Sequence, residues 1–321
     1  MFSRAASHRV PALFGLTSAL LCASNLWAQS TGASGALEIA RQNVLQLLQS
    51  NQVAQAIEAA KPAVQRWPHD ADLRHLLGLA YFKTGDGQQA AKELVEAARL
   101  APGQADIHYD LGLVYLSMKN YSDAATQLEA SNRLQPGNAL AHVLLGRAYL
   151  NTSRTLPAIE EFKRALQLKP DIPLGHYHLG FAYESLGKNQ QAITEFEKEL
   201  VANPNDSETL CQLGHTLLEV GSAAEAERYL ERGRQLQPQR SQAAYDLGKA
   251  YLQQGKTSQA VLALQSAAQL APDDASAHYL LARALDAAGD HQQAQAELKR
   301  FRELKATQQA EGGMASGRVI K

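Results

Sequence analysis

The feature that most constrains this chain is a period. The segment HYDLGLVYL at 108–116 returns as HYHLGFAYE from 176, AYDLGKAYL from 244 and HYLLARALD from 278, at offsets of 68, 68 and 34 residues. Glycine recurs every 34 residues from Gly78 to Gly248, with Ala282 at the next step. Alanine recurs from Ala90 to Ala294, proline from Pro68 to Pro272 and leucine from Leu77 to Leu281, all without a gap. Four columns kept in phase mean that one supersecondary unit has been copied along the chain. Starting each unit at Ala71 gives 71–104, 105–138, 139–172, 173–206, 207–240, 241–274 and 275–308. A divergent unit fits at 37–70, where Ala56, Ala63 and Pro68 stay in phase and Val44 stands in place of the glycine.

Helical periodicity says what a unit is. Ile107, Leu111, Val114 and Tyr115 follow i, i+4, i+7, i+8, the spacing of one apolar helix face, and Ala158, Phe162, Ala165 and Leu166 repeat it later in a unit. Between the two helices lie Gly85, Gly187, Gly221, Gly255 and Gly289 at position 15, where a helix C′ residue needs a positive φ. Proline at position 32 stops the second helix, and polar residues such as Asp273 and Asp274, or 205–207, can cap the next. Small residues at positions 8 and 20 predict that the two helices cross closely there. A hairpin of this size cannot bury its apolar face alone, so the units must stack.

Small residues at positions 8 and 20, an aromatic near 11 (Tyr81, Tyr115, Tyr149, Tyr183, Tyr251) and proline at 32 resemble the tetratricopeptide repeat. The resemblance covers 37–308. It implies an all-α fold, a right-handed superhelical solenoid of about eight antiparallel helix hairpins. Departures are local: Leu217 replaces the position-11 tyrosine, Lys119 and Ser153 replace the position-15 glycine, and Glu199 and Gly233 occupy the usual alanine position 27. They predict irregular curvature around the units at 173–240. Residues 309–321 lack periodicity and read as a disordered tail.

The N-terminus differs in kind. Arg4 and Arg9 precede a mostly apolar run from Val10 to Trp27, and Ala28 offers a small cleavage position. This is the pattern of a secretory signal peptide over 1–28, followed by a linker at 29–36. Leu26, three residues before the cut, is less favoured than alanine there; an uncleaved anchor is the alternative. Cleavage predicts an exported protein, periplasmic or extracellular, with no membrane insertion afterwards. Cys22 leaves with the signal, so Cys211 alone remains and no internal disulfide can form.

In arrays of the family, positions 2, 5, 9, 12 and 13 of the first helices face a concave groove, and the resemblance assigns that role by number here. Position 5 holds Tyr109, Tyr177, Tyr245 and Tyr279; position 9 holds Leu79, Leu113, Arg147, Phe181, His215, Lys249 and Arg283; position 12 holds Phe82, Leu116 and Leu150. Tyrosine suits binding, offering a large apolar face, few rotors and a hydroxyl. The N-terminal half of this groove is greasy, while His215, Lys249 and Arg283 place cations in the C-terminal half. The competing reading is that each cation is neutralised on its own helix: His215 by Glu219, Lys249 by Asp246, Arg283 by Asp286. The family's clamp for C-terminal carboxylates needs lysine at 5 and asparagine at 9, and neither occurs.

Other chemistry finds little support. His108, His142, His176 and His278 share position 4, but on separate hairpins at roughly 10 Å spacing, too far to share a metal. Cys211 has no adjacent base that would make it a nucleophile. No zinc-protease, dinucleotide, phosphate-loop or serine-elbow motif appears, and the repeats leave no room for a catalytic domain, so neither an enzyme nor a cofactor is expected. The net charge of −1 gives no electrostatic ground for nucleic acid. Lys299, Arg300, Arg302 and Lys305 read as a solvated face of the last helix, with a membrane surface as the alternative. The expected partner is a protein or peptide held in the groove. Self-association into a homo-oligomer, and less so a glycan or small ligand, remain open.

Overall fold

The structure is a computed structural model that describes residues 32–316, with side chains from 35 to 309. The signal segment at 1–28, residues 29–31 of the linker and residues 317–321 lie outside the described residues. Sixteen helices and no strand are found among the described residues, paired into eight hairpins. They are α1 (Gly32–Gln49) with α2 (Val53–Arg66), α3 (Ala71–Lys83) with α4 (Gly87–Leu100), α5 (Ala105–Ser117) with α6 (Tyr121–Leu134), and α7 (Ala139–Asn151) with α8 (Thr155–Leu168). There follow α9 (Gly175–Glu184) with α10 (Asn189–Ala202), α11 (Ser207–Glu219) with α12 (Ala223–Leu236), α13 (Ser241–Gln253) with α14 (Thr257–Leu270), and α15 (Ala275–Ala287) with α16 (His291–Ser316). The divergent first unit is a full hairpin, with Val44 1% exposed in its core. The boundaries at both ends need correcting. Helix α1 begins inside the segment read as linker, and α16 runs on through 309–316, read as an unstructured tail.

The expected close approach of positions 8 and 20 is present, with a Cβ on Gly78, Gly180 or Gly214 coming 3.2–3.3 Å from the carbonyl oxygen of Ala90, Ala192 or Ala226, but a second partner is closer still. A Cβ placed on Gly146 would lie 2.5 Å from Cε1 of Phe162, and one on Gly112 would lie 2.6 Å from Cγ of Leu128. Position 8 is therefore small because a large side chain at position 24 is driven against its backbone. Leu94, Leu128, Phe162, Phe196, Leu230 and Leu264 all fill position 24 and are fully buried. At the hairpin turn Gly85 has φ of 84°, and the two non-glycine substitutes keep the same conformation, Lys119 and Ser153 each at 60°. Asp206 and Asp274 cap α11 and α15 by accepting from the Thr209 and Ser276 amides.

The irregular point is α9. It is 10 residues long where the other first helices from α3 onward have 13, and it starts from Leu174 at φ 59° with no side-chain cap of its own. Glu199 supplies one from α10: only 2% exposed, its carboxylate accepts from the amides of Leu174 and Tyr177, each at 3.3 Å. Gly233 has an equally local purpose, since a Cβ there would come 2.6 Å from the Cys211 sulfur. The two departures expected to bend units four and five thus answer a short helix and a bulky sulfur.

Among the described residues the backbone of each first helix runs close to its own second helix, the preceding second helix and the next first helix, whereas the backbones of second helices stay apart. Helix α12 meets α14 through the long Arg234 side chain, 3.5 Å from Ser266. First helices therefore crowd along the inside of the curve and second helices fan outward. Left-handed backbone costs a side-chain-bearing residue about 1 kcal/mol, so Lys119→Gly should raise stability in urea unfolding. Gly146→Ala should lower it by about 1–3 kcal/mol through overpacking against Phe162. Equal effects of the two would contradict this reading of the unit.

Candidate partner-binding groove

The first helices meet along the inner face, and polar side chains tie most of them together. His75 on α3 meets Asp110 on α5 at 2.6 Å. Between α9 and α11, Gln212 and Thr216 donate to Glu184 at 2.5 and 2.7 Å, and the Tyr177 hydroxyl reaches Glu208 at 3.4 Å. Between α11 and α13, Arg240 pairs with Glu208, His215 lies 3.3 Å from Asp246, and Lys249 lies 2.7 Å from Glu219. These pairs correct the expectation that His215 and Lys249 would be neutralised within their own helices. Each reaches the neighbouring first helix instead, and the acceptors are exchanged. His215 takes the carboxylate expected for Lys249, and Lys249 takes the one expected for His215. Asp286, expected for Arg283, is paired with His291 at 2.7 Å. Among the described residues Arg147 and Arg283 have no ion-pair partner.

The thirteen residues assigned to the groove fall into four groups. Leu79, Phe82, Tyr109, Leu113 and Leu116 are half-buried along α3 and α5, packed against the core rather than standing clear of it. Burial, then the charge of Asp110, pushes the Tyr109 phenol up to about 12. Arg147, Tyr177 and Phe181 come together with Leu150, Asn151 and His178 around a cleft of about 250 Å³ between α7 and α9. His215, Tyr245 and Lys249 belong to the tied surface of α11 and α13, while Tyr279 and Arg283 are exposed on α15. A second cleft of about 360 Å³ at the C-terminal end is lined by Arg283, Asp286 and His291 with parts of α16. The tyrosine column thus does not act as one surface: Tyr177 joins the central cleft, and Tyr279 packs on Phe301 at 5.2 Å.

His178 is the lining residue that the repeat pattern does not mark, because position 6 is not a groove position. Its ring stacks on Phe162 at 5.5 Å and meets Tyr177 edge-on at 5.4 Å. Burial, reinforced by the Arg147 charge, pushes its pKa down to about 3, so it is neutral in the cleft. Arg147 is exposed as a residue and lines the cleft. Desolvation lowers its pKa, and only a weak opposing influence from the Tyr121 hydroxyl counters that. On its other side Tyr177 stacks toward Phe181, with centroids 6.4 Å apart, and Phe181 is 40% exposed.

The position-4 column serves the scaffold. Arg74, His142, His176 and His278 each meet a carboxylate at position 23 of the same unit: Glu93, Glu161, Glu195 and Glu297, at 2.5–2.7 Å. His108 meets Gln127 at 2.8 Å in the same way. Arg74, His108, His142 and His278 also donate to the carbonyl of the preceding position-32 proline. Where position 4 is Leu210 or Ala244, position 23 is Tyr229 or Ala263, so donor and acceptor vanish together. A second recurring tie joins units: the Tyr149 and Tyr251 hydroxyls donate to Glu129 and Glu231 of the preceding unit, both at 2.7 Å. Arg154 and Lys256 lie over those rings. Cys211 is buried, and burial raises its thiol to about 11, which leaves it a packed apolar group. Arg300 of the basic cluster on α16 turns back to Asp273 at 3.3 Å.

Family models described as tetratricopeptide repeat match residues 47–108, 109–173, 175–206, 211–275 and 252–315. The chain belongs to the tetratricopeptide-repeat family. Members generally serve as non-catalytic scaffolds for protein partners. No match was found among curated proteins. Among solved structures, the tetratricopeptide array is similar to a chain of the APC/C hetero-tetramer Cut9–Hcn1, with a TM-score of 0.58 and 20% identity over 78% of this chain and 49% of that one. The present chain thus spans about half of that subunit's length. It is also similar to MamA from Desulfovibrio magneticus RS-1, with a TM-score of 0.51 and 26% identity over 53% of this chain and 96% of that one. Pseudomonas aeruginosa pilF gives a TM-score of 0.56 and 18% identity over 66% and 97%. These likenesses concern the fold. No helix among the described residues is long and apolar enough to cross a membrane.

The clasps make a prediction about pH. At His142 burial opposes the charged ring, but the Glu161 carboxylate and the Pro136 carbonyl outweigh it and Arg164, so its pKa is raised. A raised folded-state pKa stabilises the fold below the unfolded value and loses that contribution as pH rises through the folded one. Unfolding free energy measured from pH 6 to 8 should therefore fall more steeply in the wild type than in His142→Gln. Parallel curves would contradict the clasp.

Proposed function

We propose that this chain is an exported, non-catalytic scaffold that holds a segment of a partner protein against its concave face, at the first helices α5, α7 and α9. The observation that carries the reading is the change in surface at α7. Pairs between neighbouring first helices tie α3 to α5 and α9 through α13, whereas at α7 and α9 Arg147, Leu150, Tyr177 and Phe181 line a cleft with an exposed aromatic and a cation that has no ion-pair partner among the described residues. Aromatic and arginine side chains in a concavity are the composition of interaction hot spots. Export rests on Arg4, Arg9, the apolar run to Trp27 and the small Ala28. A bacterial periplasm is the setting suggested by analogy with exported members of the family.

The test is photocrosslinking in native cells from a benzophenone amino acid at position 181, with position 262 on α14 as the outward-facing comparison. The groove reading expects discrete adducts from 181 and none of the same species from 262. Identical adducts from both positions would remove it. Mass spectrometry of the purified protein should find Gln29 at the N-terminus, and a chain beginning at Met1 would contradict export by a cleaved signal.

A further inference from the structure

Of the groove's cations, His75, His215, Arg240 and Lys249 each have a carboxylate on a neighbouring first helix. Arg147 has none among the described residues, and no acidic side chain lines its cleft. The carboxylate on α9 itself, Glu184, is turned to α11, where Gln212 and Thr216 donate to it. The same cleft is lined by Leu150, beside Arg147 on α7, and by Tyr177, the neutral His178 and the exposed Phe181 on α9. At about 250 Å³ the cleft is smaller than the roughly 300–1,000 Å³ pockets that enclose whole small ligands. It is the size of an anchor for one large side chain.

We propose that the α7–α9 cleft binds a partner peptide through two adjacent groups, a carboxylate paired with Arg147 and a large apolar side chain seated on Phe181, Tyr177 and Leu150. This rests on the groove reading above and adds the chemistry of the partner. A planar guanidinium can take a carboxylate through two parallel hydrogen bonds, which fixes its orientation as well as its charge. Desolvation already lowers the guanidinium's pKa although the residue stays exposed, so a carboxylate there would replace solvation that is in part reduced. A carboxylate without the apolar neighbour would gain only a screened surface contact. An apolar side chain without the carboxylate would leave the arginine unpaired beneath it. The two requirements belong together because the two groups share one cleft.

The probes are fluorescein-labelled heptapeptide libraries with random flanks around a fixed Phe-Glu, Phe-Gln or Ala-Glu centre, titrated with the full chain in fluorescence anisotropy. Phe-Glu should bind about tenfold or more tightly than either other library, the scale of one charge-assisted hydrogen bond. Arg147→Gln should bring Phe-Glu down to the level of Phe-Gln and leave Phe-Gln unchanged. Arg147→Lys, which keeps charge but loses the paired geometry, should fall between. Equal binding of Phe-Glu and Phe-Gln, with Phe181→Ala weakening both, would overturn the carboxylate claim while leaving the groove reading standing. Binding indifferent to both Arg147→Gln and Phe181→Ala would remove the groove reading as well. Self-association in sedimentation that Arg147→Gln abolishes would give the cleft to a second copy of this chain and overturn the peptide proposal.

Discussion

The structure depends on one close contact repeated along the chain, the backbone of position 8 against a buried leucine or phenylalanine at position 24. Phe162 lying against Gly146 and Leu128 against Gly112 set how near the two helices of a hairpin come. With that distance fixed, each hairpin leaves an apolar face that only its neighbours can cover, and stacking follows. The backbones of neighbouring first helices end up close together while those of second helices stay apart. Curvature, and with it a concave face, comes from that unequal spacing.

Polar ties then decide which parts of the concave face are available. Clasps from position 4 to position 23 lock each hairpin internally, and Tyr149 and Tyr251 lock units to their predecessors. Across the groove, the pairs on α9, α11 and α13 use up most of the charge that the sequence displays there. Lys249 and Glu219 are partly exposed and contribute little to stability, but they remove each other from the inventory of free charges. Among the described residues no such pair joins α5 to α7, α7 to α9 or α13 to α15, and of these it is the surface between α7 and α9 that sets a cation beside an exposed aromatic side chain in one cleft.

Most of the architecture was legible in the sequence because periodicity is a one-dimensional signal. The internal unit boundaries and helix pairs follow from spacing, which also narrows two caps to Asp273–Asp274 and 205–207, where Asp274 and Asp206 do the capping. Position 24 is not legible in the sequence, because a leucine in an apolar stripe looks like any other; only the folded hairpin shows that it is the side chain pressing on the glycine. Glu199 looked like a defect at an alanine position, and its capping of α9 is visible only once the short helix is seen. The groove was the least legible part. Pairs between units depend on which rotamers meet across 30 or more residues, so Asp246 with Lys249 was an attractive reading and the structure instead pairs it with His215. His178 could have been suspected from its place beside Tyr177, but nothing in the repeat marks it.

The central claim is that recognition occurs on the inner face around α7 and α9, and that the outer helices are scaffold. Hydrogen–deuterium exchange of the full chain, alone and with the protein captured from position 181, tests it most directly. The account predicts added protection in peptides from α5, α7 and α9, with α6, α8 and α10 unchanged on their outer faces. Protection confined to the second helices, or to the two ends of the array, would contradict it.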